Sequence, residues 1–325
     1  TGELAHTFNL IELANPANLQ SGTLLHMQST SEWLGFSGRH WAFLLLFIGF
    51  AIKLPMAPLH TWLPDAHVEA STPISIILAA LLLKIGGYGM LRMILPIFPD
   101  ASLYFGSFVA FMGMFSILYG ALNALAAKDL KRLIAYSSVS HMGFVLLGIA
   151  SGTNEGINGA QYQMVSHGFI SAMLFALAGV LYDRTHDRLI ANYSGLTSKM
   201  PHYAGVTFIA FLATMGLPGF SGFIGEVMVF FGAFRSSLPV WITILAALGL
   251  ILAAGYCLWL LQRMFFGPFA QKVEGDLTDL SLREKVMLWP LALIVFVLGI
   301  FPQLLIQYLA PFTSRIVTQL SLYLP

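Results

Sequence analysis

Ionisable side chains inside long apolar segments are the first feature of this sequence that could do chemistry. Amines, imidazoles and carboxyls all bind and release protons, and histidine does so near neutral pH. Most charged residues lie between the apolar segments or at their ends, but five titratable residues lie deep within five different segments: Lys53, Lys84, His141, His167 and Glu226. Because a charge at the bilayer centre costs about 2.5–3.5 kcal/mol, such residues normally face a bundle interior and mark ion paths. The sequence therefore predicts a proton relay.

The composition explains what surrounds these residues. The 325-residue chain is 57% hydrophobic and 10% charged, whereas soluble domains are about 25% charged. Lipid must therefore cover most of its surface. The formal net charge of +1 gives no attraction for nucleic acid. Cys257 is the only cysteine in the sequence, which excludes an intrachain disulfide and a cluster held by several thiolates. Phosphate-binding loops, dinucleotide fingerprints and nucleophile elbows are absent from the sequence.

Eight apolar segments have roughly the 20 residues that a membrane-spanning helix needs. We label them A 40–63, B 73–94, C 101–126, D 130–150, E 158–182, F 203–235, G 239–266 and H 286–309. The predicted fold is an all-α integral membrane protein, a polytopic helical bundle of about eight spans. Residues 1–38 are polar and predict an extramembrane connection, residues 39–325 form the transmembrane bundle, and the bundle ends in a short tail from residue 310.

Two of these spans carry helix-breaking sequences beside an ionisable residue. Span A contains KLPMAP at residues 53–58, and span F contains GLPGFSG at residues 216–222. Proline removes a backbone donor and clashes with the preceding turn, and glycine weakens the helix further. Interrupted helices at membrane depth are tolerated where protein or water covers them, and they often mark transport sites. We expect two broken helices, although a simple proline kink without function is the alternative.

The basic residues between the spans predict the orientation. The A–B, C–D, E–F and G–H loops hold ten lysines and arginines, and the opposite side holds four. Cytoplasmic loops carry the excess of positive charge, so both ends of this chain are predicted on the outer side. The chain begins at Thr1 and shows no signal-peptide pattern, and we expect it to be a piece of a longer chain.

A second polar cluster follows the first break. His60, Asp65, His67 and Glu69 include side chains that can ligate a metal, but a polar cap or a point of proton uptake is favoured at the end of span A. Ordinary structural roles are also open for single members of the relay. A lone histidine is often a hydrogen-bonded core residue, a lysine can neutralise a helix end, and a glutamate can pair with a lysine.

Four stretches of the sequence resemble the proton-conducting antiporter-like subunits of respiratory complex I. They are FAIKLPMAPLHTWLPDAH at 50–67, LKIGGY at 83–88, DLKRLIAYSSVSHMGF at 129–144 and LPGFSGFIGEV at 217–227. The resemblance runs from about residue 40 to the end. Members of this family differ after the break in span F, where most carry lysine. Glu226 is similar to the glutamate of the M type, also called chain 4.

The resemblance implies a fold and a role for each relay residue. The family has fourteen spans in two inverted five-helix repeats, and spans A to H are similar to its last eight. Lys53 resembles the switching lysine at the first broken helix, and Lys84 resembles the connecting lysine. His141 and His167 match polar positions along the central hydrated axis. Glu226 matches the terminal glutamate. The family also pairs the switching lysine with a glutamate on its fifth span, which has no counterpart in this sequence.

The resemblance further implies an assembly. It predicts a proton-translocating subunit of an NADH:quinone oxidoreductase in a bacterial plasma membrane or equivalent energy-coupling membrane. Neighbouring antiporter-like subunits and lipid would be its partners. NADH, FMN, iron–sulfur clusters and quinone would be bound by other subunits, so that this chain itself performs no redox chemistry and binds no cofactor or metal. Two alternatives are a subunit of a multisubunit cation/proton antiporter and a membrane scaffold with a degenerate relay.

Overall fold

The structure, a computed structural model, describes residues 9–15, 18, 32–33, 35–272 and 275–323. Most of the predicted extramembrane connection at 1–38 lies outside the described residues. The helices and strands are α1 Leu10–Leu13, β1 Glu32–Trp33, β2 Phe36–Ser37, α2 Gly38–Lys53, α3 Trp62–Glu69, α4 Thr72–Ile77, α5 Leu83–Gly89, α6 Leu95–Ile97, α7 Pro99–Tyr104, α8 Gly106–Ala126, α9 Leu130–Ala150, α10 Asn154–Thr185, β3 Tyr193–Ser194, α11 Leu196–Lys199, α12 Pro201–Thr214, α13 Ser221–Arg235, α14 Val240–Phe265, β4 Ala270–Gln271, α15 Leu282–Ile300 and α16 Gln303–Ser321. The strands form two antiparallel pairs, β1 with β2 and β3 with β4.

The predicted class, a helical membrane protein, is confirmed. Among the described residues, five helices are long and apolar enough to cross a membrane by themselves: residues 72–97, α8, α9, α10 and α14. The pair α15 and α16 brings this number to six. Helices α2 and α3, and helices α12 and α13, are the halves of the interrupted spans A and F. The arrangement therefore agrees with a bundle of about eight spans.

Both predicted helix breaks are present. Helix α2 ends at Lys53 and α3 starts at Trp62, while α12 ends at Thr214 and α13 starts at Ser221. Neighbouring helices cover the interrupted backbone, as expected. The Ala57 N–H donates to the Ser116 hydroxyl of α8 at 3.0 Å in the first break. In the second break the backbone lies so close to α15 that a Cβ on Gly299 would collide with it.

The prediction for span H was wrong. It treated residues 286–309 as one span followed by a tail, whereas α15 ends at Ile300 and α16 continues to Ser321 after a bend of 68°. Pro302 stands between the two helices and cannot donate a backbone hydrogen bond, and it also restricts the preceding residue. Phe301 accordingly leaves the helical conformation, with φ −118° and ψ 64°.

Helices α9 and α10 form the buried centre of the bundle and carry the two predicted relay histidines. Each helix begins at a side-chain cap. Asp129 accepts a hydrogen bond from the Arg132 N–H at 3.1 Å, and Thr153 accepts one from the Gly156 N–H at 3.1 Å. Such caps stabilise a helix by about 1 kcal/mol. The starting points, and therefore the depth of both histidines along their helices, are fixed by local sequence.

Basic residues from the start of α9 and from the loop after α10 hold the short half-helix α3 against the bundle. The Lys131 ammonium donates to the Ala70 carbonyl at 2.9 Å, and the Arg188 guanidinium donates to the Val68 carbonyl at 2.6 Å. Cations at a helix C-terminus satisfy its free carbonyls and oppose the negative end of its dipole. The residues that predicted orientation thus also stabilise the end of the first broken span.

An aspartate caps the free N–H groups at the start of α12. The Asp279 carboxylate accepts hydrogen bonds from the His202 and Tyr203 N–H groups at 2.9 and 3.0 Å. Partial burial raises the pKa of Asp279, but the backbone N–H groups of His202, Leu280 and Tyr203 outweigh it and hold the pKa below its usual value. The carboxylate is therefore ionised at neutral pH, which suits the positive end of a helix dipole.

Glycines allow α8 and α9 to pack with their backbones in contact. A Cβ on Gly143 would lie 2.7 Å from the Gly113 carbonyl oxygen and 2.8 Å from the Ile117 nitrogen. Small residues at helix seams permit this approach in membrane proteins. Since these two obstructing atoms belong to the backbone of α8, a larger residue could fit only if the helices moved apart.

We expect Gly143→Ala to destabilise the bundle by about 1–3 kcal/mol through overpacking. The control is Gly205→Ala, because Gly205 is also helical but has open space where its Cβ would be. Thermal unfolding of the two purified variants in the same detergent would measure the difference. Equal unfolding temperatures would show that the α8–α9 seam can open without cost.

Candidate functional site

Lys84 lies beside an irregular turn of span B. Residues Leu78–Leu82 form a π-helical segment, in which the wider turn changes the usual backbone pairing. The Lys84 Nζ atom donates to the Ala79 carbonyl and lies 2.7 Å from His167 Nδ1 on α10. An amine within an apolar helix needs such partners to offset the loss of water. The π-helical segment and His167 supply them.

Two histidine rings continue the line of polar groups. His167 and His141 are each 4% exposed, and their ring centres are 5.4 Å apart. His141 comes from the middle of α9 and His167 from the middle of α10, so the contact between these central helices places one ring near the other. Each ring has two nitrogens and can therefore accept a proton at one and release it at the other.

The line ends at a buried carboxyl group. Glu226 on α13 is 3% exposed, and its Oε1 atom lies 3.5 Å from His141 Nδ1. The same His141 nitrogen lies 3.2 Å from Nε2 of Gln163. Lys84, His167, His141 and Glu226 therefore form one row, in which a contact between rings joins His167 to His141 and Gln163 lies beside His141.

The second helix break builds the space that the carboxyl group occupies. Gly216 has a positive φ of 72°, and a Cβ at this position would collide with Glu226 Oε2. Only glycine adopts this conformation without strain and leaves the room free. Gly219 has a φ of 100° in the same break, but open space surrounds the position of its absent Cβ. Gly216 thus has a role towards Glu226 that Gly219 lacks.

The prediction that all five relay residues face the bundle interior stays a prediction for Lys53, which lies on the surface of the described part of the chain. Lys53 is the last residue of α2 and is exposed on the surface of this chain. Pro55, two residues later, cannot continue the helix. The exposed hydrophobic residues Leu45, Ile48 and Ile52 lie on the same helix, so this surface is apolar apart from Lys53.

The second polar cluster is divided by the fold. His60 and His67 are buried, at 2% and 0% exposure, whereas Asp65 is exposed and pairs with Arg132 at 2.8 Å. The His67 ring stacks on Phe175, with centres 4.2 Å apart. Within the described part of the chain, no group of three or more His, Cys, Asp or Glu residues is placed to hold a metal ion.

Sequence reasoning missed Gln163 and Gly216. A neutral amide gives no charge signal, but Gln163 follows Asn158 and Gln161 in a largely apolar span, and these three amides could have marked a polar interior face. Gly216 was recognised as part of a helix break. Its approach to Glu226, ten residues later, depends on how the backbone turns between the two residues. A sequence pattern does not show that approach.

The long apolar helices, the two broken spans and the titratable groups between them define a helical integral membrane protein. The family model described as "NADH:quinone oxidoreductase/Mrp antiporter, TM" matches residues 8–252. The chain belongs to this family.

Individual relatives give a finer comparison. The chain is 46% identical over 275 residues to NADH-quinone oxidoreductase subunit M of Rhodobacter capsulatus, covering 85% of this chain and 53% of that protein. It is similar to a chain of respiratory complex I from Thermus thermophilus with bound NADH, with a TM-score of 0.80, 37% identity and coverage of 87% and 59%. A chain of the Mrp complex from Dietzia sp. DQ12-45-1b shares the fold, with a TM-score of 0.80, 21% identity and coverage of 96% and 66%. The chain spans about half the length of the curated relatives that it matches.

We expect Gly216→Ala to push the Glu226 carboxyl group away from His141 and to lengthen the 3.5 Å separation between them. Gly219→Ala is the matched control. It introduces the same kind of positive-φ strain, about 1–2 kcal/mol, but nothing lies where the new methyl group would be. High-resolution structures of both variants within their assembled complex would measure the separation. A Glu226 carboxyl group that stays in place in Gly216→Ala would show that Gly216 does not provide the space for it.

Proposed function

We propose that this chain is the proton-translocating part of an M-type membrane subunit of an NADH:quinone oxidoreductase. The observation that carries the proposal is the row of titratable groups that runs from the half-buried Lys84 to the buried Glu226. Titratable side chains from four different spans lie together inside an apolar bundle. Such groups are costly to bury in a membrane protein, and where they occur they usually mark ion or proton paths. The relative from Rhodobacter capsulatus, named as subunit M, supports the assignment of the assembly.

The row supports a sequence of proton transfers. The Lys84 ammonium, 2.7 Å from His167 Nδ1, can give its proton to that nitrogen and become a neutral amine. His167 then releases a proton from its other nitrogen towards His141, directly or through one bridging water. His141 passes a proton from Nδ1 to the Glu226 carboxylate, 3.5 Å away. Glu226 then releases its proton, Lys84 takes up a new one, and both rings return to their starting tautomers before the next transfer. One proton thus enters and one leaves, and no electron moves within this chain.

Glu226 is suited to the final position of the row. It follows the second helix break, where the backbone of residues 215–220 is not helical. Unpaired backbone groups at such a break can hold water, and water connects a buried carboxyl group to the membrane surface. We therefore assign release of the proton to Glu226 and the connecting role to Lys84.

Lys53 is proposed to act through a neighbour. Its side chain is exposed on the apolar surface of α2, outside the row. Because a lysine facing lipid at that depth would be costly, we propose that another segment packs there and supplies an acidic partner. A change in that pairing would alter the charge near the row and so favour or oppose proton transfer from Lys84.

The redox chemistry is assigned to partner subunits. NADH, FMN, iron–sulfur clusters and quinone would be bound there, together with neighbouring antiporter-like subunits, in a bacterial plasma or other energy-coupling membrane. We propose that both ends of this chain lie on the outer side, on the basis of the ten basic residues in the opposite loops. The antiporter alternative is less favoured because Glu226 matches the glutamate of M-type subunits. The similarity to the Mrp complex supports a shared fold and does not favour an antiporter function.

We expect Lys84→Met to slow proton transfer through the row by about a hundredfold, the scale of a lost acid–base group. Methionine has a similar length and fills the same space without carrying a proton. The variant should fold, since removing a buried charge relieves desolvation. Proton output by membranes supplied with NADH, normalised to the amount of assembled complex, would measure the effect.

Lys128→Met is the control for this substitution, because Lys128 is exposed in a loop outside the row. It should leave proton output unchanged. Wild-type output from a fully assembled Lys84→Met complex would support the scaffold alternative and would exclude the relay.

A further inference from the structure

A groove lies outside the row, at the end of α14 that reaches the side of the membrane with the excess of basic residues. Its volume is about 350 Å³, and it is bounded by the end of α8, the turn that follows α10 and the last turns of α14. Apolar side chains form most of its wall, among them Leu125, Leu189 and Ile190. Trp259 and Arg263 form its edge on α14. None of the described residues that line it is acidic.

Arg263 is exposed and has no carboxylate partner among the described residues. Three other arginines on this side of the membrane pair with carboxylates: Arg132 with Asp65, Arg184 with Glu284 and Arg188 with Asp129. The Arg263 guanidinium instead lies over the Trp259 ring, with its central carbon 4.6 Å from the ring centre. Its N–H groups therefore remain available to an anion, and a guanidinium binds a phosphate through two parallel hydrogen bonds.

A basic residue at this place also has an ordinary explanation. Arg263 lies in the last turn of α14, where a cation interacts favourably with the negative end of the helix dipole. This explanation accounts for the positive charge. It does not account for the apolar groove beside that charge, or for the lack of acidic side chains around the groove.

The apolar wall continues towards the membrane centre. In the adjacent turns, Leu122 on α8 and Leu258 on α14 are exposed, at 53% and 51%. The two helices pack closely beyond these residues, since a Cβ on Gly249 would collide with the Ile117 side chain. A polar group at the membrane boundary above an apolar surface is the arrangement that a phospholipid needs, and basic pockets between spans on this side of a membrane bind acidic headgroups.

We propose that this groove binds an anionic phospholipid, whose phosphate pairs with the Arg263 guanidinium and whose acyl chain lies along α8 and α14. The charge of the groove selects the headgroup. A zwitterionic lipid brings an ammonium group that needs an acidic partner, and the described residues of the groove supply none. A headgroup with only negative charge leaves no such group unpaired. The inference does not rest on the relay, because it concerns contact with lipid.

The bound lipid covers a turn that supports the first broken span. Leu189, in the wall of the groove, follows Arg188, whose guanidinium donates to the Val68 carbonyl of α3 at 2.6 Å. The Arg188 carbonyl accepts from the Leu130 N–H at 2.9 Å and so joins this turn to the start of α9. The lipid thus connects α14 with the loop that holds α3.

The chain offers a matched residue for the test. Arg283 is exposed on the same side of the membrane and has no carboxylate partner among the described residues. It does not line the groove. Arg283→Gln therefore removes the same charge from the same surface as Arg263→Gln. Arg263→Lys keeps the charge at the groove and serves as the conservative variant.

Photoreactive lipids measure the contact directly. The assembled complex with the full-length chain would be placed in nanodiscs that contain phosphatidylglycerol or phosphatidylcholine, each with a diazirine in one acyl chain, and the labelled peptides would be identified by mass spectrometry. We expect phosphatidylglycerol to label the ends of α8 and α14 roughly fivefold more than phosphatidylcholine, the effect of one basic side chain near a membrane surface. Arg263→Gln should remove this preference. Arg263→Lys should keep most of it, and Arg283→Gln should leave it unchanged.

Equal labelling by the two lipids in the wild-type complex would overturn the inference and leave an unselective contact with lipid. Absence of labelling at the ends of α8 and α14 would also overturn it, and would show that another protein segment covers the groove. An equal loss of preference in Arg263→Gln and Arg283→Gln would show an effect of surface charge and not a site. The labelling is independent of proton output, so none of these results bears on the proposed function.

Discussion

The contact between the Lys84 amine and the His167 ring, at 2.7 Å, is the interaction on which the rest of this bundle depends. An ammonium group inside an apolar bundle costs several kcal/mol when it has no partner. The chain offsets this cost with a π-helical segment, whose Ala79 carbonyl accepts from Lys84, and with a histidine on the buried helix α10. Once His167 is fixed by Lys84, the position of His141 on α9 and of Glu226 on α13 follows from how the helices pack around α10.

Helix breaks are the second requirement of this arrangement. A continuous α12–α13 helix would place side chains where the Glu226 carboxyl group now lies, whereas the break supplies Gly216 with its positive φ and the room beside it. Helix α15 covers the non-helical backbone of this break. Such backbone is not tolerated where it faces lipid. The first break differs, because Lys53 at its start is exposed. The role of Lys53 therefore depends on what packs beside α2.

The sequence predicted the parts of the site that carry charge. Lys84, His141, His167 and Glu226 stand out because ionisable groups are rare in apolar segments, and proline marked both broken helices. Charge does not report direction, so the exposure of Lys53 was not predicted. Gln163 was missed because it is neutral, and the turn at Pro302 was missed because apolar residues continue on both sides of it. These features depend on contacts between helices, which periodicity and composition do not specify.

The most direct test of the account is the proton output of Glu226 variants, measured in membranes and normalised to assembled complex. Glutamine keeps the shape and hydrogen bonding of Glu226 but cannot titrate. Aspartate retains a titratable carboxyl group, and lysine retains a titratable group of the kind that related subunits carry. The account predicts full assembly in all three variants, a strong loss of proton output in Glu226→Gln, and smaller losses in Glu226→Asp and Glu226→Lys. Wild-type proton output from Glu226→Gln would contradict it and would leave Glu226 as a structural partner of His141.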